Sequence, residues 1–292
     1  MGTRLKFIVP ESCNGKLLRD FLRTECEVTS TLLKSLKQAD NGIMLNQKHV
    51  TVIVRIRTGD EIELHLPDDT PDIKPVDLPF KVLYEDEHLL VAEKPPFMAV
   101  HPVHGHIDDT LANACAYHAE QTGEKWNFRA INRLDRDTSG AVLIAKNAYS
   151  APILTQSAKK KYIAVCEGII EESGTVDKPI RLKEGHTIER ETGEGGVYAV
   201  THYKPTEISN GHTLAEFELE TGRTHQIRVH MSSIGHPLAG DDMYGGSLKY
   251  ISRQALHCAQ ISFKHPVTKE AMIIQSDLPT EFYSILERNE KQ

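Results

Sequence analysis

The feature that most constrains the fold is a dense charge cluster that leads directly into an apolar run. Two arginines and two aspartates occupy residues 133–137, and a Thr-Ser-Gly turn follows at 138–140. Residues 141–145 are all apolar and rich in branched side chains, which predicts a strand buried on both faces. Catalytic groups often lie on a loop held against a rigid sheet, so the pattern favours a functional loop. The alternative is a plain turn, in which Asp135 or Asp137 only accepts backbone hydrogen bonds.

The order of residues in this cluster resembles the central motif of the RluA/RluD family of RNA pseudouridine synthases. That motif reads His-Arg-Leu-Asp-x-x-Thr-Ser-Gly, and this chain matches it except that Asn132 stands in place of the histidine. The resemblance implies that Asp135 is the catalytic carboxylate. It also implies that Asn132, Arg133 and Arg136 lie beside the substrate. The departure at Asn132 affects a contact behind the carboxylate and leaves the carboxylate itself in place.

A second segment resembles the family's Lys-x-Tyr-x-Ala motif. Residues 159–161 are three lysines, and Tyr162 begins an apolar stretch that predicts a strand. The resemblance implies that Tyr162 lies against the target base and that Lys161 contacts RNA. Without the resemblance, the same pattern would indicate a core tyrosine beside a solvated charge run.

A third segment, residues 221–230, resembles the family's Thr-Gly-Arg-x-His-Gln-Ile/Leu-Arg-x-His motif. In the family the first arginine pairs with the catalytic aspartate, which implies that role for Arg223 here. His225 and Arg228 are then candidate substrate contacts. The spacing predicts a helix from Thr224 onward, and an arginine just before a helix suits an anionic partner. The alternative is that Arg223 is a surface arginine without a partner.

A histidine-rich loop resembles the family segment Lys-Pro-x-Gly-x-x-Val-His-Pro, but Phe97 stands where the family has glycine. Three histidines, His101, His104 and His106, suggest a metal site at first sight. They lack a carboxylate partner fixed on regular structure, so we expect no metal.

The resemblance implies an isomerase that converts uridine to pseudouridine through Asp135, assisted by Tyr162 and Arg223. An arginine beside a carboxylate stabilises its charged form. The sequence leaves open whether the carboxylate attacks the base or the sugar, or first abstracts a sugar proton. Because the chain has no phosphate-binding glycine loop, no zinc pattern and no nucleophile elbow, we expect a reaction without a cofactor. A non-catalytic RNA-binding or ribosome-assembly protein, and a small-molecule hydrolase, are the alternatives.

The chain divides into three parts. Residues 1–66 resemble the RNA-binding module of ribosomal small-subunit protein four, with helices expected at 16–22 and 31–38 and strands that include 50–56. Residues 67–79 contain four prolines and predict an extended linker. Residues 80–292 form the expected catalytic domain. The resemblance implies an α+β fold with a mixed, largely antiparallel central sheet, flanking helices and loops. Within it we expect a helix at 110–121, capped by Asp108 or Asp109, and a loop at 183–200.

The expected partner is RNA, with ribosomal RNA favoured and transfer RNA as the alternative. The net charge of -7 opposes RNA binding overall, but residues 1–66 hold 10 Lys and Arg against 8 Asp and Glu. A basic RNA surface must therefore be local. The five cysteines form no Cys-x-x-Cys pair, the first ten residues lack a signal-peptide core, and no apolar run approaches ~18 residues. We therefore expect a cytoplasmic protein, without a membrane partner, that acts as a monomer.

Overall fold

The computed structural model describes residues 3–67, 70–103 and 105–287. In this part of the chain no helix has both the length and the apolar composition needed to cross a bilayer. The helices are α1 (Leu18–Thr24), α2 (Ser30–Gln38), α3 (Leu111–Gln121), α4 (Ser150–Ser157), α5 (Gln226–Ser232) and α6 (Thr280–Glu287). The strands of the small module are β1 (Arg4–Ile8), β2 (Ile43–Leu45), β3 (Lys48–His49) and β4 (Glu61–His65). Those that follow are β5 (Lys81–Glu85), β6 (Leu89–Lys94), β7 (Arg129–Ala130), β8 (Ser139–Ala145), β9 (Lys159–Glu167), β10 (Gly174–Asp177), β11 (Ile180–Leu182), β12 (Arg190–Thr192), β13 (Val200–Ser209), β14 (His212–Leu219), β15 (Leu256–Lys264) and β16 (Ala271–Gln275).

The first module is an antiparallel sheet in the order β1-β4-β2-β3 with α1 and α2 packed against it. Helix α2 begins at Ser30 because the side chain of Thr29, its N-cap residue, accepts a hydrogen bond from Leu32 N at 3.2 Å. Its leucines at 32, 33 and 36 are buried, whereas Lys34 and Lys37 are exposed. The helix therefore presents a basic face to solvent.

The strand expected at residues 50–56 is wrong. The carbonyls of Val52 and Val54 accept hydrogen bonds from Arg19 N and Leu18 N, each at 2.9 Å, and Ile56 N donates to Lys16 O at 3.0 Å. These bonds join residues 52–56 to the start of α1. The backbone of residues 50–56 is therefore irregular, although its apolar side chains suit a strand.

The module shares its hydrophobic core with the larger unit. Tyr149 is fully buried and lies with Ile153 of α4 in the same apolar cluster as the module's own core residues. The ring of Phe7 from β1 meets Tyr149 edge-on at 6.1 Å between centroids. Nearby, Lys269 forms an ion pair with Glu27. The two units are therefore packed together by apolar side chains.

The central sheet has ten strands within the described residues, in the order β10-β13-β14-β9-β15-β8-β6-β5, with β16 beside β15 and β7 beside β8. Neighbouring strands are antiparallel except β8 and β15, which run parallel with His257 opposite Ser139. Gly140 has a φ of +113°, and a Cβ there would lie 2.6 Å from Cys258 N. Glycine is therefore required where these two strands approach. The structure confirms the expected α+β class with a largely antiparallel mixed sheet.

The described part of the proline-rich segment, residues 70–79, is bound to the larger unit. Val76 N donates to Asn113 O at 3.2 Å, and the Asn113 amide donates to Lys74 O at 2.9 Å. Helix α3 begins with a capping box between Thr110 and Asn113, so the cap expected at Asp108 or Asp109 is wrong. Asp108 instead lies 2.5 Å from Lys74. Asp108, just before α3, and Asn113, in its first turn, therefore both help to anchor the segment.

Two expectations about the later part of the chain also change. The segment 183–200 is not entirely loop, because β12 lies within it and pairs with β11. Helix α5 begins at Gln226 rather than Thr224, because His225 adopts a left-handed conformation with a φ of 57°. This turn sets the direction of the side chains on either side of it.

Candidate active site

The loop between β7 and β8 places Asp135 in the wall of an open cavity of about 360 Å³, solvent space included. Thr138 N donates to Asp135 O at 3.1 Å, which closes a turn just before the buried strand. The Asp135 side chain remains 25% exposed, so a ligand in the cavity can reach it. Six residues expected at the site line this cavity: Arg133, Asp135, Tyr162, Arg223, His225 and Arg228.

The arginine that pairs with Asp135 is Arg228. Its Nη1 lies 3.4 Å from Asp135 Oδ2, while Nε and Nη2 donate to the two carboxylate oxygens of Asp241 at 2.6 and 2.8 Å. Asp241 is fully buried, so this two-point contact fixes the plane of the guanidinium. Burial opposes the charge on Arg228, but Asp241 and then Asp135 outweigh it and raise the pKa of the guanidinium. Arg228 therefore stays charged and directed at the candidate carboxylate.

Among the described residues, the ion pair expected between Arg223 and Asp135 is not formed, and Arg228 pairs with Asp135 instead. Arg223 is exposed at the rim of the cavity, and its Nε donates to Tyr198 O at 3.0 Å. The left-handed turn at His225 separates it from α5, so Arg223 stays at the surface while Arg228 enters the buried side. Arg223 is thus available to a ligand at the rim.

Tyr162 forms the apolar part of the cavity wall. It lies in β9 between Phe217 of β14 and Cys258 of β15, and only 7% of its surface is exposed. Burial, with smaller contributions from Cys258 and Asp135, raises the pKa of its hydroxyl well above the usual range. The residue therefore presents a neutral ring beside the carboxylate.

Tyr244 supports two residues of the cavity at once. Its hydroxyl lies 2.8 Å from His225 Nδ1, and the Arg228 guanidinium carbon lies 4.9 Å from the centre of its ring. Burial lowers the pKa of His225 and outweighs the attraction of Asp135. His225 is consequently a neutral hydrogen-bonding group near neutral pH.

Three of the expected substrate contacts lie away from the cavity. Asn132 is buried, donates to Ala141 O at 3.1 Å and accepts from Leu143 N at 2.9 Å, so it ties the loop to β8. This explains how asparagine can occupy the position of the family's histidine. The Arg136 guanidinium is half-exposed and bound to Asp137 at 2.7 Å. Lys161 pairs with Glu216 at 3.3 Å.

Two buried basic side chains hold the loop from behind, and neither was among the expected site residues. Lys94 is fully buried and its ammonium donates to Pro95 O, Met98 O and Arg136 O at 2.8, 2.7 and 2.9 Å. Burial lowers the pKa of Lys94 to about 7.

The second cation is Arg253, which donates to Asp137 O at 3.1 Å, to Ser139 Oγ at 3.2 Å and, through Nε, to Glu281 of α6 at 2.8 Å. Consecutive carbonyls of the loop, those of residues 136 and 137, are therefore each bound by a separate cation. Asp135 is the residue immediately before them.

Within the described residues, no group of three or more His, Cys, Asp or Glu is arranged to hold a metal ion. His104 lies outside those residues. His101 packs edge-on against Phe128 at 5.1 Å, and His106 bonds to Asp109 at 2.6 Å. These two histidines therefore have local structural contacts.

Comparison with known proteins gives a consistent result. The family model described as RNA pseudouridylate synthase matches residues 88–233. The uncharacterized RNA pseudouridine synthase YjbO of Bacillus subtilis is 38% identical over 270 residues, 90% of this chain and 95% of that protein. Ribosomal large subunit pseudouridine synthase D of Pseudomonas aeruginosa is 38% identical over 232 residues, 72% of each chain. The solved structure of human RNA Pseudouridylate Synthase Domain Containing 1 is 25% identical with a TM-score of 0.57, covering 68% of this chain and 83% of that one.

Proposed function

The chain belongs to the RluA/RluD family of RNA pseudouridine synthases, and from this premise we propose that it uses Asp135 to isomerise uridine in large-subunit ribosomal RNA. The enzyme is an isomerase. The reaction breaks the bond from uracil N1 to ribose C1′, forms a bond from C5 to C1′, and exchanges the C5 proton for one on N1. Substrate and product have the same atoms.

The observation that carries the role of Asp135 is its position in the cavity. The carboxylate is accessible, the charged Arg228 lies 3.4 Å away, and the ring of Tyr162 lines the same cavity. Arg228 fixes the direction of the carboxylate, which can then act as a nucleophile or a base. Tyr162 offers a flat surface to a uracil, and its hydroxyl can assist a proton transfer.

The names of relatives support ribosomal RNA as the substrate, and a basic helix face supports RNA binding in general. A relative from Pseudomonas aeruginosa is named ribosomal large subunit pseudouridine synthase D. The first module also exposes Lys34 and Lys37 on one helix, where they can bind phosphate groups. A uridine in folded RNA must leave its stack to enter the cavity, at a cost of a few kcal/mol. Contacts of the module with the RNA backbone would offset part of this cost.

The test uses unmodified transcripts of large-subunit ribosomal RNA and of transfer RNA. Each is incubated with the protein, and pseudouridine is mapped by nucleotide position. We expect modification of one or a few uridines in the ribosomal transcript. Modification of transfer RNA alone would overturn the proposed target and leave the chemistry standing. Binding of both RNAs without any pseudouridine would favour the non-catalytic alternative.

A further inference from the structure

Phe97 combines exposure with an unfavourable backbone conformation. It lies in the turn after β6, its surface is 54% exposed, and its φ is 64°. A bulky residue in the left-handed region is strained, and the family's glycine would adopt the same conformation without strain. Neither the exposure nor the conformation helps this chain to fold. The exposed ring can therefore contact a ligand.

The turn that carries Phe97 is rigid. Its neighbour Met98 is buried, and the carbonyls of Pro95 and Met98 are both bound by the ammonium of Lys94. The ring consequently projects from a fixed support. An aromatic ring fixed in this way loses little conformational entropy when it stacks on a ligand.

The turn is also adjacent to the loop of Asp135. The carbonyls of Met98 and Arg136 lie 2.7 and 2.9 Å from the same nitrogen of Lys94, and Arg136 follows Asp135 directly. Farther along the same segment, His101 lies near Arg133. Burial, and to a smaller extent the charge of Arg133, lower the pKa of His101. Arg133 lines the cavity and is exposed. The backbone next to Phe97 and the exposed Arg133 therefore both lie beside the loop of Asp135.

We propose that Phe97 is a stacking platform for an unpaired nucleobase of the RNA substrate, next to the uridine that enters the cavity. This inference rests on the proposed function and adds a specific contact to it. Single-stranded RNA is recognised largely by stacking of unpaired bases on aromatic side chains, and any base offers a suitable face. Since glycine cannot stack, the contact distinguishes this chain from relatives that keep the family's glycine.

The test compares three substitutions that separate stacking from fold and from apolar bulk. Phe97→Tyr keeps the ring, Phe97→Leu keeps apolar bulk under the same backbone strain, and Phe97→Gly relieves the strain. Ile273→Ser, at an exposed position of β16, serves as the matched control. The dissociation constant of each variant for the unmodified large-subunit ribosomal transcript is measured by fluorescence anisotropy. Pseudouridine formation at saturating RNA and the melting temperature are measured in parallel.

We expect Phe97→Leu and Phe97→Gly to raise the dissociation constant roughly 5- to 150-fold, the factor that corresponds to ~1–3 kcal/mol of base stacking. Phe97→Tyr and Ile273→Ser should bind within about twofold of the wild type. The turnover rate of the control Ile273→Ser at saturating RNA should equal that of the wild type. The melting temperature of Phe97→Gly should not fall, because the strain it removes offsets the flexibility it adds.

Equal affinity of Phe97→Leu and wild type would overturn the inference. Unchanged RNA binding by Phe97→Gly would also overturn it. Failure of the proposed function is a separate result. In that case the wild type forms no pseudouridine in either transcript, whereas the comparison of affinities still tests the stacking contact.

Discussion

Arg228 bridges Asp135 and Asp241, with Nη1 3.4 Å from the first carboxylate and Nε 2.6 Å from the second. The buried aspartate holds the guanidinium, and the guanidinium in turn orients the aspartate that faces the cavity. The buried Asp241 therefore sets the orientation of the candidate catalytic carboxylate through Arg228.

This arrangement predicts different effects for the two arginines of the third motif. Arg228→Gln should lower the turnover rate by roughly 10²-fold or more, the usual scale when one electrostatic stabiliser is removed from an active site. Arg223→Gln should mainly raise KM, because Arg223 is exposed at the rim. Single-turnover assays on the unmodified large-subunit ribosomal transcript, over a range of enzyme concentrations, would measure both.

Removing Arg228 also leaves Asp241 buried without its partner, which costs about 3–5 kcal/mol of stability. The double variant Arg228→Gln/Asp241→Asn should recover much of that stability without recovering turnover. If the double variant were fully active, Arg228 would have only a structural role. If Arg223→Gln were the more damaging single change in turnover rate, the assigned pairing would be wrong.

Asp135→Asn should abolish turnover while RNA binding survives. The amide has nearly the shape of the carboxylate, so the loop is retained, but it cannot act as a nucleophile or base. Pseudouridine mapping and anisotropy on the same transcript provide the two measurements. Parallel loss of binding and turnover would instead show that Asp135 is needed for the fold of the loop.

Lys94→Met should impair turnover more than RNA binding. Without the ammonium, the buried carbonyls of Met98 and Arg136 lack a donor, at a cost of ~1–3 kcal/mol for each unsatisfied group. The loop that carries Asp135 should then sample positions away from the cavity and lower the turnover rate more than tenfold. Lys81→Met, an exposed lysine of β5, is the control. A Lys94→Met enzyme with normal turnover but reduced stability would limit Lys94 to folding.

His257 should make the protein sensitive to mild acid. It is buried between the hydroxyls of Ser139 and Ser276, and burial lowers its pKa to about 4, below the usual 6.5. Between these two values the unfolded chain binds the proton and the folded chain does not. The stability that neutral His257 gives the folded state is therefore present above pH 6.5. It is lost as the pH falls toward 4, which lowers the free energy of unfolding by about 3 kcal/mol.

Urea unfolding of wild type and His257→Gln at pH 7 and pH 4 tests this sign. The free energy of unfolding of the wild type should fall by about 3 kcal/mol more than that of the variant. Equal losses in the two proteins would show that His257 does not titrate in this range.

The basic face of α2 should set the salt dependence of RNA binding. Replacing Lys34 and Lys37 with glutamine should weaken binding at low salt and reduce the slope of log K against log [salt] by about one for every phosphate group that the variant no longer binds. Lys81→Gln/Lys264→Gln removes the same charge from the larger unit and is the control. An equal change of slope in both variants would exclude a specific role for the module.

Local signals located the candidate loop and its strand. The charge cluster at 133–137 and the apolar run after it correspond to the loop of Asp135 and to β8 in the structure. The membership of the chain in the family is also confirmed. The roles of Asp135, Tyr162 and the substrate contacts stay predictions until the variants are measured.

What the sequence could not reveal depends on distant contacts and on local backbone conformation. Both Arg223 and Arg228 lie in the matched motif, and the left-handed conformation of His225 between them decides which one enters the site. In the sequence, nothing near Lys94 or Arg253 indicates that either side chain is buried. Their burial, and hence their role behind the loop, becomes visible only when the sheet is assembled.

The parallel pairing of β8 with β15 has a consequence for synthesis on the ribosome. Ser139 and His257, which this pairing brings together, are separated by 118 positions, and Arg253 reaches the loop from the same distant part of the chain. At ~5–20 residues per second, translation needs roughly 6–24 s to pass from one to the other. A nascent polypeptide thus carries its candidate catalytic aspartate for many seconds before the residues that orient the loop have been synthesised.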